Sequence, residues 1–327
     1  MIVLRGDAKP GIGTGDLVSL THLAMGLESL DVRTVIATQK TPEAEEILHS
    51  YPYSMWYLPV LAPQESSEAF QKACLEKNLT TVFWEITECS PSQITYHPKL
   101  THGGIIFDEF PPKEWKFVLC WDPVWVHQMK DFKKDIVNIA GVEYVLLHPE
   151  ISQFVHPGLD SFQDVDKVLI TVGGSDNENH TVRILRALRE QNLLLKKISI
   201  IWGPGFIYDN SLLEELELWD NKPQIFRNMR NIYRLFPDYD CVISAGGLAA
   251  SELLITKTPA ILFATFPHQI RRCLYFAGHS WCLYSETPEQ TDFLEMFHKL
   301  KQLTLLDWGE KAGTMAVAAE IRNFLNP

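Results

Sequence analysis

The chain has 327 residues, of which 46% are hydrophobic, and carries a formal net charge of −12. Because this length exceeds the ~100–200 residues of a typical domain, we expect two domains with substantial cores. The negative charge and the lack of any Lys- or Arg-rich run argue against a nucleic-acid partner. Six cysteines with no C-x-x-C pair predict reduced thiols and no metal site. No signal-peptide pattern or ~20-residue apolar run is seen, so we expect a cytoplasmic protein with no integral membrane segment.

Short apolar runs alternate with helical patterns along the chain, as expected for doubly wound α/β sheets of buried parallel strands. The predicted strands are Ile2–Arg5, Arg33–Ala37, Thr80–Ile86, Gly104–Phe107, Lys116–Trp121, Val142–Leu147, Lys167–Val172, Ile198–Trp202, Cys241–Ser244 and Ala260–Ala264. The predicted helices are Leu17–Ser29, Ser66–Lys77, Asn177–Gln191, Leu212–Trp219, Leu248–Thr256, Pro288–Leu300 and Glu310–Phe324.

A domain boundary is predicted in His148–Asp166, which holds two prolines, a glycine and three aspartates and precedes a fresh strand. Residues 1–157 would form an N-terminal Rossmann-like domain. Residues 158–305 would form a C-terminal Rossmann-like domain. The last segment, 306–327, contains a helix that we expect to pack back on the N-terminal domain.

Three loops share one layout, in which a hydrophobic strand is followed by glycines and then by a helix start. Glycines let the backbone approach a ligand, and a helix start presents free N–H groups to an anion. Three such loops therefore predict a phosphate-bearing ligand, although each alone is also typical of a plain tight turn. The first loop lacks the G-x-x-G spacing of a dinucleotide fingerprint, so no nicotinamide cofactor is expected. The loops are Arg5–Asp16, with Gly13 and Gly15; Gly173-Gly174-Ser175-Asp176; and Ser244-Ala245-Gly246-Gly247.

Two carboxylates next to these loops each allow two interpretations. Asp16 is either the N-cap of the first helix or a general base, and a helix N-terminus stabilises the anion and so weakens the base. Glu252 is either a first-turn acid that interacts with the helix dipole or an acceptor for the two hydroxyls of a ribose, with Ser244, Ser251, Gly247 and Leu248 nearby. A loop pair, His268-Gln269, would hydrogen-bond a sugar. Trp121 and Trp125, which flank a turn, are a further candidate sugar or acceptor platform.

Several segments, in their order and spacing, resemble the UDP-sugar hydrolases of pseudaminic-acid biosynthesis and the related spore-coat polysaccharide protein G. These proteins are related to the wider GT-B glycosyltransferase superfamily, which includes the lipid II-forming enzyme. The segments that carry the resemblance are Arg5-Gly6-Asp7, Ile12–Gly15, Tyr144–Ile151, Gly173–Asn177, Asp240–Gly247, Ser251-Glu252, Pro259–Ile261 and His268-Gln269.

The resemblance implies a GT-B fold, with two Rossmann-like domains and an interdomain cleft. Residues 1–157 would carry the acceptor and catalytic loop, and residues 158–305 would bind the nucleotide-sugar. It implies a diphosphate near Gly174, Ser175 and Gly247 and a ribose near Glu252, with UDP the expected nucleotide. The sugar would face the first loop, at Arg5, Asp7, Gly13 and Gly15. No metal or other cofactor is implied, because helix N-termini stabilise the leaving diphosphate.

The sequence departs from the hydrolases at two positions, since they carry His at the place of Asp16 and Arg at the place of Ser19. An Asp there resembles instead some antibiotic and sterol glycosyltransferases, whose Asp deprotonates an acceptor hydroxyl. We therefore expect an inverting glycosyltransferase of bacterial surface-glycan or nonulosonic-acid metabolism, with Asp16 as base. Its acceptor would be a glycan, a protein or a small molecule. The alternatives are a nucleotide-sugar hydrolase and a non-catalytic nucleotide-sugar-binding protein.

Overall fold

The structure is a computed structural model. It divides the chain into two compact units, which we call unit 1 (Met1–Pro149 with Gly309–Pro327) and unit 2 (Glu150–Trp308). The chain first passes from unit 1 to unit 2 between Pro149 and Glu150, inside the proline-containing segment His148–Asp166. The residues that the structure describes are 1–9, 14–49, 51–85, 89–132, 136–158, 165–174, 176, 178–203, 205–206, 209–227, 229–304 and 313–326.

In its described part, unit 1 forms a seven-stranded parallel sheet in the order β3-β2-β1-β4-β5-β6-β7. The central strands are almost wholly buried because helices cover both faces, and this explains their continuous apolar runs. The strands are β1 (Ile2–Gly6), β2 (Thr34–Gln39), β3 (Ser54–Leu58), β4 (Thr81–Glu85), β5 (Thr101–Ile105), β6 (Trp115–Cys120) and β7 (Val137–Ala140). The helices are α1 (Gly15–Glu28), α2 (Pro42–Leu48), α3 (Pro63–Glu76) and α4 (Val126–Lys130).

Unit 2 forms a six-stranded parallel sheet, counted over its described residues, in the order β10-β9-β8-β11-β12-β13. Its core, which combines aliphatic side chains with several aromatic rings, lies between the sheet and the helices, with Ile170, Ile243 and Phe263 fully buried. The strands are β8 (Lys167–Thr171), β9 (Lys197–Trp202), β10 (Gln224–Arg227), β11 (Cys241–Ala245), β12 (Ala260–Phe263) and β13 (Leu283–Tyr284). The helices are α5 (His180–Glu190), α6 (Asp209–Leu216), α7 (Leu248–Ile255), α8 (Pro267–Gly278) and α9 (Phe293–Lys299).

The last helix, α10 (Gly313–Leu325), belongs to unit 1 and packs on α1. Gly26 of α1 permits the close approach, because a Cβ there would lie 3.1 Å from the Cβ of Ala318. Thr314 Oγ1 donates to the carbonyl of Leu147 at 2.5 Å, and the Phe324 ring lies 4.9 Å from that of Phe117. The helix therefore supplies part of the unit 1 core.

Two element predictions are wrong. Val142–Leu147 is not a strand: the sheet ends at β7, and the apolar residues after it are buried by helices instead. Their carbonyls accept from side chains, since His22 Nδ1 lies 3.2 Å from the Leu146 oxygen. Pro288–Leu300 is not one helix, because Asp292 caps a new helix by accepting from Glu295 N at 2.9 Å. The elements that the prediction missed are β3, β7, β10, β13, α2, α4 and α8.

No helix in the described ranges combines the length and apolar character needed to cross a bilayer.

Candidate functional site

In unit 2 the strand order changes direction between β8 and β11, which pair in register from Cys241 with Val168 to Ser244 with Thr171. The loops that follow these two strands, which begin at Val172 and Gly246, therefore leave the same edge of the sheet side by side. In open α/β sheets, ligands bind at this switch point, beyond the carboxyl ends of the strands.

The loop after β8 is held by the loop after β9. Gly173 has a φ of +97°, a left-handed conformation that glycine adopts without strain. Gly205 N donates to the Gly174 carbonyl at 2.8 Å, and a Cβ on Gly203 would lie only 2.6 Å from that same oxygen. This packing fixes the two predicted glycines at the edge of the sheet. The predicted Ser175 lies outside the described residues.

The two helix starts at this edge differ in what their N–H groups bind. The start of α5 is occupied, because the buried Asp176 carboxylate accepts from His180 N at 2.7 Å and from Thr181 N at 2.8 Å. The start of α7 has Gly247 at the N-cap, without a capping side chain or a first-turn acid. Gly247 and Leu248 are half-buried. Since a free helix N-terminus attracts anions, the geometry favours α7 as the phosphate site.

Helix α8 braces the glycines that precede α7. Arg272 Nη1 donates to the Gly246 carbonyl at 3.2 Å, and a Cβ on Gly246 would overlap Cys273 Sγ. A Cβ on Gly247 would meet only Gln269 Nε2, at 3.7 Å. Packing therefore requires glycine at 246, whereas the space beside Gly247 is open to a ligand. Nothing near Gly246 in the sequence pointed to Arg272.

Glu252 lies one turn into α7 and is only 7% exposed. No described residue donates a hydrogen bond to its carboxylate, and burial raises its pKa to about 7. Burying a carboxylate without partners is costly. The arrangement suits a ligand whose hydroxyl groups would donate to both oxygens.

The remaining predicted residues of unit 2 lie close to this edge in different environments. Ser244 is fully buried and donates to the Ala245 carbonyl at 3.1 Å; Ser251 is also buried. The expectation of a loop at His268-Gln269 is wrong, because Pro267 starts α8 there. His268 is exposed and stacks on Phe266 with centroids 5.6 Å apart. The Gln269 side-chain oxygen accepts from Thr265 N at 2.9 Å and Thr265 Oγ1 at 3.0 Å.

In unit 1 the switch point lies between β1 and β4, where Gly6 pairs with Glu85. The first predicted loop leaves this edge, and α1 begins at Gly15 with Thr14 as N-cap. The N-cap interpretation of Asp16 is therefore wrong: the helix starts earlier, and Asp16 is a half-buried residue of its first turn. Gly13 lies outside the described residues.

Arg5 and Asp7 bind each other. Both side chains are buried, and Arg5 Nη1 and Nη2 each donate to a different Asp7 oxygen at 2.7 Å. Asp7 also accepts from the Gln39 backbone N at 2.7 Å and from its Nε2 at 3.0 Å. Burial alone would raise the pKa of Asp7, but Arg5 and Gln39 together lower it below its usual value. The two side chains thus connect β1 to β2, and both Asp7 oxygens and both terminal nitrogens of Arg5 are hydrogen-bonded inside the protein.

Glu85, at the end of β4, is a site residue that the sequence did not reveal. It is 3% exposed, and its Oε2 lies 2.5 Å from Ser19 Oγ on α1. Burial, together with the negative charge of Asp16, raises the pKa of Glu85 well above its usual value despite the bond to Ser19. The predicted strand ran through to residue 86, so Glu85 was counted as part of the strand. An acid at the carboxyl end of a buried strand was the available signal.

The two tryptophans do not form an open platform. Trp121 is buried, and its ring meets Phe107 edge-on at 5.2 Å. Trp125 is half-buried and contacts the exposed Phe110 edge-on at 5.4 Å. Within the described ranges, no three His, Cys, Asp or Glu side chains cluster as metal ligands would.

Each unit is thus a doubly wound parallel sheet with its candidate site at the switch point, and the comparisons with known proteins agree on the fold. No protein-family model matches the chain. An uncharacterized protein of Methanocaldococcus jannaschii is 26% identical over 149 residues, which are 44% of this chain and 30% of that protein. The match therefore spans less than a third of the length of this curated relative.

Solved structures of low identity match almost the whole chain, and they show that it has the predicted GT-B fold. A putative UDP-N-acetylglucosamine 2-epimerase from Listeria monocytogenes matches with a TM-score of 0.67 at 10% identity, covering 100% of this chain and 96% of that one. MurG of Acinetobacter baumannii matches with a TM-score of 0.63 at 11% identity, covering 99% of this chain and 98% of that one. The spinosyn rhamnosyltransferase SpnG, complexed with thymidine diphosphate, matches with a TM-score of 0.62 at 14% identity, covering 99% of this chain and 96% of that one.

Proposed function

We propose that the chain is an inverting glycosyltransferase that acts on a nucleotide-activated sugar. The observation that carries this proposal is an uncapped helix start at Gly247 followed one turn later by the buried carboxylate of Glu252, to which no described residue donates a hydrogen bond. A nucleoside diphosphate has the complementary chemistry, because its phosphates are anions and its ribose presents two hydroxyl donors. The GT-B fold is consistent with such a substrate, and SpnG was solved with thymidine diphosphate.

In this proposal the donor binds to unit 2. The diphosphate accepts from the N–H groups of Gly247 and Leu248 at the start of α7, with Gly173, Gly174, Ser175, Ser244, Gly246 and Ser251 around it. The ribose hydroxyls donate to the Glu252 carboxylate. UDP is the nucleotide that we expect, and we assign His268 and Gln269 to contacts with the sugar.

The reaction needs a base, and we assign that role to Asp16. Its carboxylate takes the proton of an acceptor hydroxyl while the acceptor oxygen forms a bond to the anomeric carbon. The bond from that carbon to the diphosphate breaks, and its electron pair leaves with the nucleotide, where the helix N-terminus stabilises it. A single displacement inverts the anomeric configuration. Arg5 and Asp7 would support the loop that carries Gly13 and Gly15 beside the sugar.

A nucleotide-sugar hydrolase is the second candidate. The segments that resemble the pseudaminic-acid-pathway hydrolases favour it, and Asp16 would then take its proton from water. The resemblance is weakest in the first loop, where Asp16 and Ser19 replace the His and Arg of those enzymes. We therefore place transfer to a glycan, protein or small-molecule hydroxyl first.

Nucleotide binding is the first measurement. Isothermal titration calorimetry with UDP, GDP and CDP should detect binding to the wild type and a loss of at least about tenfold in affinity in Glu252→Ala, because a hydrogen-bonded charged group contributes ~1.5–3 kcal/mol. Glu295→Gln is the matched control, since Glu295 is also a helical glutamate of unit 2, in the first turn of α9, but is 61% exposed. No binding by the wild type, or equal binding by the two variants, would reject the site.

Turnover then separates the reactions. Nucleotide release from UDP-sugars only with an added acceptor indicates a transferase, and release without one indicates a hydrolase. Asp16→Asn should lower kcat by about 10²–10⁴-fold, whereas Glu65→Gln, an exposed first-turn acid of α3, should not. Nucleotide binding without release from any donor would leave a binding protein and refute both enzymatic readings.

A further inference from the structure

We propose that Glu85 is a positioning residue that keeps its proton at neutral pH, donates it to Ser19 Oγ, and so adds no negative charge beside Asp16. This inference rests on the proposed function only where it concerns the reactivity of Asp16. The protonation of Glu85 is a property of the free protein and is tested separately below.

The first observation concerns the two hydrogen-bond contacts of Ser19 Oγ. Ser19 Oγ lies 3.0 Å from the backbone oxygen of Asp16 and 2.5 Å from Glu85 Oε2. A serine hydroxyl has one proton, and a backbone carbonyl can only accept. If the Ser19 proton goes to the Asp16 carbonyl, the short contact to Glu85 has no proton unless the carboxyl group supplies it. A neutral Glu85 satisfies both contacts at once, whereas an ionised Glu85 satisfies only one.

The surroundings of Glu85 also favour the neutral acid. Along the sheet edge Glu85 pairs with Gly6 of β1, and the pairing of β4 with β5 ends one residue earlier, at Trp84 opposite Gly104; neither glycine titrates. On the helix side, α1 contributes Ser19 and the carboxylate of Asp16. Among the described residues no cation pairs with Glu85. A carboxyl group that is this deeply buried, has no cation and lies beside a carboxylate has a pKa well above its usual value, so it retains its proton.

A neutral Glu85 would serve the reaction in two ways. Through Ser19 it holds the first turn of α1, and therefore the backbone of Asp16, against the end of β4. It also adds no second negative charge beside the carboxylate that we assign as the base. Two neighbouring carboxylates whose environments separate their protonation are a recurring arrangement of acid–base sites.

The protonation is tested on the free protein by infrared difference spectroscopy at pH 8.5, where exposed carboxyl groups and most of Glu252 are ionised. Subtracting Glu85→Gln from the wild type should reveal the C=O stretching band of a protonated carboxyl group. Subtracting Glu252→Gln should not. If Glu85→Gln does not fold, Ser19→Ala serves instead, because loss of the hydrogen bond should move the band to higher wavenumber. A wild-type spectrum without this band would overturn the inference.

The positioning role is tested by kinetics. Glu85→Ala should lower kcat by about tenfold with little change in KM, because Asp16 loses its support. Glu85→Gln should recover most of that loss, since an amide also donates to Ser19 Oγ. The wild type should lose activity at high pH as Glu85 ionises, and Glu85→Gln should not show this alkaline limb. A loss in Glu85→Gln as large as that in Asp16→Asn would instead make Glu85 a catalytic acid and overturn the positioning role.

The two measurements fail independently. If no nucleotide-sugar is turned over under any condition, the proposed function fails while the infrared band still reports the proton on Glu85. If turnover occurs and the band is absent, the proposed function stands and this inference falls.

Discussion

Replacing Glu252 by glutamine removes one buried charge from unit 2 while keeping the size of the side chain. We expect two opposite effects: the free protein becomes more stable at alkaline pH, and it binds UDP more weakly. Both follow from one cause, which is that the carboxylate has no hydrogen-bond partner among the described residues and is 7% exposed. In the free protein the desolvated carboxylate destabilises the fold, and a ligand that donates hydrogen bonds to it would offset that cost.

The magnitude follows from the pKa of Glu252, which burial raises from 4.5 to about 7. Because the folded pKa lies above the unfolded one, its stabilising contribution is fully present below about pH 4.5 and is lost as the pH rises through about 7. One unit corresponds to ~1.4 kcal/mol, so the charge costs the folded unit about 3 kcal/mol at pH 8.5 and about 1 kcal/mol at pH 5.5. The stability advantage of Glu252→Gln should therefore grow by about 2 kcal/mol between these two pH values.

The assay is urea-induced unfolding of the wild type, Glu252→Gln and the exposed control Glu295→Gln at pH 5.5 and 8.5, with calorimetric titration of UDP at both. The control should follow the wild type in stability and in binding. A stability difference that is the same at the two pH values would refute the assignment of a raised pKa. UDP binding by Glu252→Gln as tight as that of the wild type would refute its contact with the ligand.

Three further predictions concern packing and titration. Asp7→Ala leaves its arginine partner charged and buried, so it should destabilise unit 1 by about 3–5 kcal/mol in urea unfolding; a loss below about 1 kcal/mol would contradict the buried pair. His22 is buried and its pKa is lowered from 6.5 to about 4, so the stability it contributes is present above pH 6.5 and is lost as the pH falls through 4, by up to about 3 kcal/mol. His22→Leu should flatten this acid dependence between pH 7 and 4.5, and an unchanged slope would refute the assignment. Gly246→Ala should destabilise the fold by about 1–3 kcal/mol because its Cβ overlaps a cysteine sulfur, whereas Gly247→Ala should fold normally and bind UDP about tenfold more weakly. Equal thermal stability of these two alanine variants would contradict the packing argument.

The fold could be predicted from the sequence because the strands that form the centre of both sheets are buried on both faces. Runs such as Lys167–Thr171 and Cys241–Ala245 are apolar for that reason, and the glycines after them mark the carboxyl edge. Edge strands carry no such signal. β3 and β10 are partly exposed, so their patterns are mixed and they were missed.

An apolar run was also mistaken for a strand where helices, and not neighbouring strands, bury it. Val142–Leu147 was predicted as a strand, yet it is covered by α1 and α10. The Leu146 carbonyl bonds with His22, and the Leu147 carbonyl accepts from Thr314, which lies 167 residues away. Such partners depend on the tertiary fold, and local pattern cannot reveal them.

The candidate site was predicted in unit 2 and only partly in unit 1. Glu252 stands four residues after a helix start, so its position followed from local spacing. The role of Glu85 depends on Ser19, 66 residues away in sequence, which α1 brings to the end of β4. Asp176 shows the same limit in another form: the sequence placed it beside the phosphate loop, but only the structure shows that it closes α5 to anions.

The return of α10 to unit 1 sets the order in which the protein can be completed as it is synthesised. Unit 1 lacks part of its core until residues 313–326 have been translated, since Thr314, Ala318 and Phe324 pack on residues of the first 150. Unit 2 is a continuous segment, and at 5–20 residues per second the ribosome needs roughly 10–30 s to make it. During that interval unit 2 can fold, whereas in unit 1 the side of α1 that α10 will cover is still exposed. Unit 1, which contains Asp16, is therefore the last part of the protein to complete its core.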